Sequence, residues 1–87
     1  MDNKQKIVVV EDDAALLPMI THNLEKNGFS VREATNGEDA LMLIKEELPA
    51  LAIIDWMIPA PTGIEVCKIL RRWKETVSLP IIILSAK

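Results

Sequence analysis

Four acids and one hydroxyl stand where apolar runs end. Leu51-Ala52-Ile53-Ile54 stops at Asp55, Ile7-Val8-Val9-Val10 runs into Glu11-Asp12-Asp13, and Ile81-Ile82-Ile83-Leu84 runs into Ser85. An acid has no reason to follow such a run unless a strand ends there and its carboxylate sits at the rim. Carboxylates brought together in this way cannot all stay ionised without a compensating cation. An all-oxygen site suits Mg²⁺, held by one or two carboxylates, a carbonyl and several waters. Asp12 and Asp55 are the expected direct ligands, with Glu11 helping directly or through water. The backbone carbonyl of Met57, just past Asp55, completes the protein share. With local charge neutralised, Asp55 is placed to attack a phosphoryl group and become an aspartyl phosphate. Ser85 would donate a hydrogen bond to a phosphoryl oxygen. Such transfer depends mainly on positioning and charge neutralisation.

The elements that must carry these residues follow from periodicity. Ile7–Val10 reads as a strand buried on both faces. A helix follows, from about Ala14 to Asn27, with Leu16, Ile20 and Leu24 inward, Leu17 at the margin and Asn27-Gly28 as its stop. Phe29–Ala34 carries Arg32 and Glu33, which places it at a sheet edge. Asn36 caps a second helix, Gly37 to Leu48, with Ala40, Leu41, Ile44 and Leu48 as its apolar stripe and Pro49 as its stop. The strand ending at Asp55 comes next. Thr62-Gly63-Ile64-Glu65 reads as a capping box. It opens a third helix to about Lys74, with Ile64, Cys67 and Leu70 inward and Val66, Ile69 and Trp73 widening the stripe. Pro80 starts the last strand.

This βαβαβαβ alternation means an α/β fold, with a parallel sheet and helices on both faces. Ligands of such sheets bind at the carboxyl ends of strands, where the strand order switches. If that order is 2-1-3-4, the switch lies between the first and third strands, where Glu11, Asp12 and Asp55 end.

Composition narrows the function. The 87 residues are enough for one small domain, 1–87, with an ordinary globular balance of 26% charged and 49% hydrophobic residues. A net charge of −3 offers no basic footprint for nucleic acid, so direct contact with it by this segment is not expected. The single Cys67 can form no internal disulfide and suits a reducing cytoplasm. No stretch has the length of a membrane helix, and the polar N-terminus lacks the pattern of a secretory signal.

Taken together, these residues resemble a known family. Val9-Val10-Glu11-Asp12-Asp13, Ile54-Asp55-Trp56-Met57-Ile58-Pro59, Thr62-Gly63-Ile64-Glu65 and Leu84-Ser85-Ala86 are similar to the receiver domain of two-component response regulators. The Asp-Trp-Met-x-Pro run looks most like the OmpR/PhoB branch. The resemblance covers the chain from Lys6 onward. It implies a doubly wound, flavodoxin- or CheY-like sheet of order 2-1-3-4. It implies that Asp55 is the phosphoacceptor, charged by a sensor histidine kinase, in a relay controlling an output such as transcription. Glu11 and Asp12 would be the metal-binding acids for Mg²⁺, Met57 the carbonyl ligand and Ser85 the switch hydroxyl.

Two departures stand out. Where the family commonly has a glycine after the proline, this chain has Ala60-Pro61. The family also continues into a fourth helix, a fifth strand ending in a lysine and proline, and a fifth helix, whereas this sequence stops at Lys87. Lys87 lies two residues past Ser85 and is not given the role of the family's lysine. The expectation is a receiver truncated after its fourth strand. Its last strand would have a bare apolar edge, and a single helix would serve one face of the sheet, which favours self-association.

Other readings compete with this one. Asp13 is read as a helix cap only. Cys67 is read as a packed helix residue, since no His is placed to activate it. His22 reads as lying on a solvated or half-buried helix face, Arg71-Arg72 as solvated helix surface and Trp73 as packing or rim, while Trp56 should lie beside the site with its side chain directed away from that of Asp55. A second function is a non-phosphorylated interaction and oligomerisation module. A haloacid-dehalogenase-type hydrolase needs a second aspartate where Met57 stands. A dinucleotide site needs a Gly-rich turn after the first strand, which is absent.

Overall fold

A computed structural model describes residues 3–85; Met1, Asp2, Ala86 and Lys87 lie outside them, and with them the readings of Ala86 and Lys87. The elements alternate as β1 (Lys6–Val10), α1 (Leu16–Lys26), β2 (Ser30–Ala34), α2 (Gly37–Glu47), β3 (Leu51–Asp55), α3 (Gly63–Leu70) and β4 (Ile81–Leu84). Every strand pairing is parallel and the order is β2-β1-β3-β4, the doubly wound arrangement expected. β-Branched runs at β1 and β3 fill the two central positions, where both faces are covered. The charged β2 takes an edge, as expected.

Side chains alternate across the sheet and divide the core in two. Val8, Val10, Ala52 and Ile54 pack with Ala40 and Ile44 of α2 and Val66 and Leu70 of α3. Ile7, Val9, Val31 and Ile53 pack on the other face with Leu17, Ile20 and Leu24 of α1. The register sets the rim. Val10 is level with Ile54, so Glu11 and Asp55, each one residue further on, end side by side. Asp55 is level with Leu84, so Ser85 follows at the same edge.

The bounds or buried faces of all three helices differ from expectation. α1 begins at Leu16 rather than near Ala14, because the Asp13 carboxylate accepts the N–H groups of Ala15 and Leu16 and holds a turn there. Leu17, not Leu16, is therefore its buried leucine. α3 turns Val66 and Leu70 inward and leaves Ile64 39% exposed. It ends at Leu70 rather than Lys74. The chain beyond it folds back on itself: the Thr76 hydroxyl donates to the Leu70 carbonyl, and Arg71 Nη1 donates to the carbonyls of Thr76, Val77 and Leu79. Leu48 is exposed, because it takes the left-handed conformation (φ 45°) that reverses the chain into Pro49.

Both expected caps form. Asn36 Oδ1 accepts the Asp39 N–H at 2.8 Å. Thr62 Oγ1 accepts from Glu65 N–H while Glu65 Oε1 accepts from Thr62 N–H.

Candidate functional site

The strand ends deliver the acids to one place. Glu11, Asp12 and Asp55 each present a carboxylate oxygen within 4.8 Å of the others. Glu11 is held from below, its N–H donating to the Ala34 carbonyl at 3.0 Å, and its side chain is buried at 3% exposure. Glu11 Oε2 accepts the Asp13 N–H at 3.0 Å, which curls Glu11-Asp12-Asp13 over the end of β1. Asp12 is left exposed at the top of that curl. Asp13 borders the same cleft, but its Oδ1 accepts the N–H groups of Ala15 and Leu16 ahead of α1, and those two bonds hold its pKa below the usual carboxylate value.

Burial raises the pKa of Glu11 above its ordinary 4.5, the Asp13 N–H donated to its carboxylate opposes this, and the hydrogen bond that its protonated carboxyl donates to the Asp55 carboxylate, together with the charges of Asp55 and Asp12, pushes it further up. Glu11 is therefore easier to protonate than a free carboxyl, and a divalent cation bound among the three acids would oppose that protonation. The donor set is all oxygen, and one of its acids cannot be solvated by water alone. Those features fit a hard divalent ion such as Mg²⁺.

A cleft of about 490 Å³ opens over these acids and reaches Met57 and Ser85. All five residues singled out from the sequence thus border one space. Met57 N–H donates to Asp55 Oδ1 at 3.2 Å, which sets the turn after β3. Ser85 is exposed at the cleft edge. Trp56 is half exposed beside it. The apolar wall of Leu16, Ile20 and Leu84 was not foreseen. Leu16 belongs to it because α1 starts later than its periodicity suggests.

The loop after Asp55 is held closely. Gly63 N–H donates to the Trp56 carbonyl at 3.1 Å, and a Cβ on Gly63 would come within 2.5 Å of the Asp55 carbonyl oxygen. In the sequence Gly63 reads only as part of a capping box. Its other duty is to let α3 approach the backbone of Asp55 itself.

The fold and this rim of acids define a class, and comparison agrees: the chain belongs to the response regulator receiver domain family, whose pattern matches residues 7–87. It is 48% identical over 82 residues to the phosphate regulon transcriptional regulatory protein PhoB of Rhizobium meliloti, covering 94% of this chain and 36% of that protein. This makes it a receiver of the OmpR/PhoB type. Among solved structures, the chemotaxis response regulator CheY4 of Vibrio cholerae superposes with a TM-score of 0.93 at 27% identity, covering 98% of this chain and 71% of that one. The BeF3-activated N-terminal receiver domain of Klebsiella pneumoniae RstA gives a TM-score of 0.84 at 34% identity, covering 94% and 68%. The chain spans about a third of the length of the curated relatives it matches.

Proposed function

We propose that this receiver accepts a phosphoryl group on Asp55 from the phosphohistidine of a sensor histidine kinase, in a Mg²⁺-dependent relay that controls an output such as transcription. The observation that supports it most is the meeting of Glu11, Asp12 and Asp55 oxygens within 4.8 Å at the carboxyl edge of the sheet. Asp55 combines access with a fixed position: it is half-buried, open to the cleft, and its Oδ1 accepts the Met57 N–H. One carboxylate oxygen would form the new O–P bond as the donor's N–P bond breaks, and the imidazole would leave with that electron pair. Asp55 Oδ1 is oriented by the Met57 N–H, which leaves the other oxygen to attack. Bound Mg²⁺ would supply positive charge against the incoming phosphoryl oxygens. Asp12, Asp55 and the Met57 carbonyl would hold it, with Glu11 directly or through water. Ser85, at the cleft edge, would donate its hydroxyl to a phosphoryl oxygen. The chain is a phosphoacceptor that assists its own modification, not an enzyme that turns over a substrate.

On this reading the protein works in the cytoplasm with its kinase. Among the described residues no helix is long and apolar enough to cross a membrane. The net charge of −3 and the acidic rim argue against nucleic acid contact by this segment.

A second reading, self-association of the same chain, is favoured by one observation. Among the described residues β4 is an edge strand, its sequence Ile-Ile-Ile-Leu carries no charge to discourage pairing, and Ile82 is 49% exposed on the face that α1 serves.

The BeF3-activated form of the RstA receiver suggests the test. Fluorine NMR with beryllofluoride and Mg²⁺ should show a bound signal that disappears in Asp55→Asn and on chelation of Mg²⁺. A wild-type protein with no bound signal would refute the phosphoacceptor reading.

A further inference from the structure

Two glycines press on the loop that leaves Asp55. Gly63 follows that loop in the chain and packs on its first residues. Gly37 belongs to a different element, the first turn of α2, and packs on its far end. Gly37 N–H points to the Pro59 carbonyl at 3.4 Å. A Cβ on Gly37 would lie 2.0 Å from the Pro61 carbonyl oxygen, 2.8 Å from Pro61 Cγ and 2.9 Å from the Pro61 carbonyl carbon. The principal obstacle is backbone, so no side-chain rotation relieves it. Either α2 or the loop would have to withdraw.

The helix is the stiffer partner. Ala40 and Ile44 of α2 are fully buried against the sheet, and Asn36 caps the helix through the Asp39 N–H. The loop is the softer one, with Pro59 and Ala60 exposed. Its near end carries Met57, whose N–H orients Asp55 Oδ1. We propose that Gly37 is a positioning residue for the acidic site: the empty space at its α-carbon sets how closely the loop of residues 56–61 closes, and through the loop it sets Met57 against Asp55. The metal part of this inference rests on the functional reading above; the loop part does not.

The test compares the full chain with Gly37→Ala and with Gly28→Ala. Gly28 has φ +92° and nothing within 4 Å of an added Cβ. Alanine there strains the backbone without touching the loop, so it controls for lost stability. The readouts are amide hydrogen exchange at Met57 relative to core amides and a Mg²⁺ titration followed by tryptophan fluorescence. Gly37→Ala should speed Met57 exchange selectively and weaken Mg²⁺ binding about tenfold, the scale of losing an outer-sphere support. Gly28→Ala should do neither beyond its change in global stability. If Gly37→Ala yields too little folded protein, Pro61→Gly frees the loop from the opposite side and should produce the same two changes. Wild-type Met57 exchange in the substituted protein, or equal effects in Gly28→Ala, would overturn the role of Gly37. A wild-type chain that gives no response to Mg²⁺ would instead overturn the metal reading, and Met57 exchange alone would then decide for or against Gly37.

Discussion

Glu11 and Asp12 are neighbours in the chain with opposite surroundings, one buried and one exposed, and they should respond differently to substitution. The folded-state pKa of Glu11 is raised above 4.5. A raised carboxyl means that the folded chain keeps a proton that the unfolded chain releases, so stability falls as pH rises. In metal-free protein this contribution is intact below about pH 4.5 and is lost as pH climbs through the raised folded value. Urea unfolding across pH, without metal, should show that decline, and Glu11→Gln should flatten it. Mg²⁺ should restore stability at the high end, because it binds the deprotonated site. Asp12 is exposed, so Asp12→Asn should leave the fold intact, and on the proposed reading it removes a direct ligand. It should weaken Mg²⁺ binding by at least the roughly 10–100-fold that loss of an outer-shell partner costs, as read by tryptophan fluorescence.

At the scale of elements, α3 approaches the Asp55 backbone closely through Gly63. Its capping box satisfies N–H groups at its first turn. Thr62→Ala should lower stability by about 1 kcal/mol in denaturant unfolding. Leu70→Ala, at a fully buried position in the last turn, should cost roughly 2–5 kcal/mol. The existence of α3, its cap and its strand neighbours were legible in the sequence, since Thr62 and Glu65 stand at the box spacing and the strands are short uncharged runs. Its phase was not. Ile64, Cys67 and Leu70 fit a helical stripe as well as Val66 and Leu70 do. What decides between them is the approach of Gly63 to the Asp55 carbonyl, a tertiary contact. The helix end was hidden for a similar reason. Trp73 lies three residues past Leu70 and keeps the apolar rhythm, while the turn that replaces the helix is held by Arg71 and Thr76 bonding to carbonyls ahead and behind. The acids were legible because each interrupts an apolar run, but the burial of Glu11 depends on β2 lying beside it. Gly37 carried no signal beyond following a cap, because its contact, Pro61, lies on another element.

At the scale of the whole sheet, the described helices are divided unequally between its two faces. α2 and α3 share one face, while α1 packs chiefly on β1 and β2 of the other. Ile82 is level with Ile53 and lies on that second face, beyond α1. If copies meet there, Ile82→Lys should lower the average mass seen by sedimentation at high concentration, with little effect on Mg²⁺ binding at the carboxyl end of the strands. Unchanged sedimentation would remove β4 from any self-association. The site and this edge share the last strand, since Leu84 and Ser85 border the acidic cleft just past Ile82.

Phosphorylation of Asp55 is most directly tested by intact-mass spectrometry of the chain after incubation with acetyl phosphate. With Mg²⁺ present, the wild-type chain should gain the mass of one phosphoryl group. The adduct should be absent in Asp55→Asn and in the presence of a chelator, and should be removed by hydroxylamine as expected of an acyl phosphate. A folded wild-type chain that gains no mass, or an adduct that survives Asp55→Asn, would contradict the assignment of Asp55 as the phosphoacceptor.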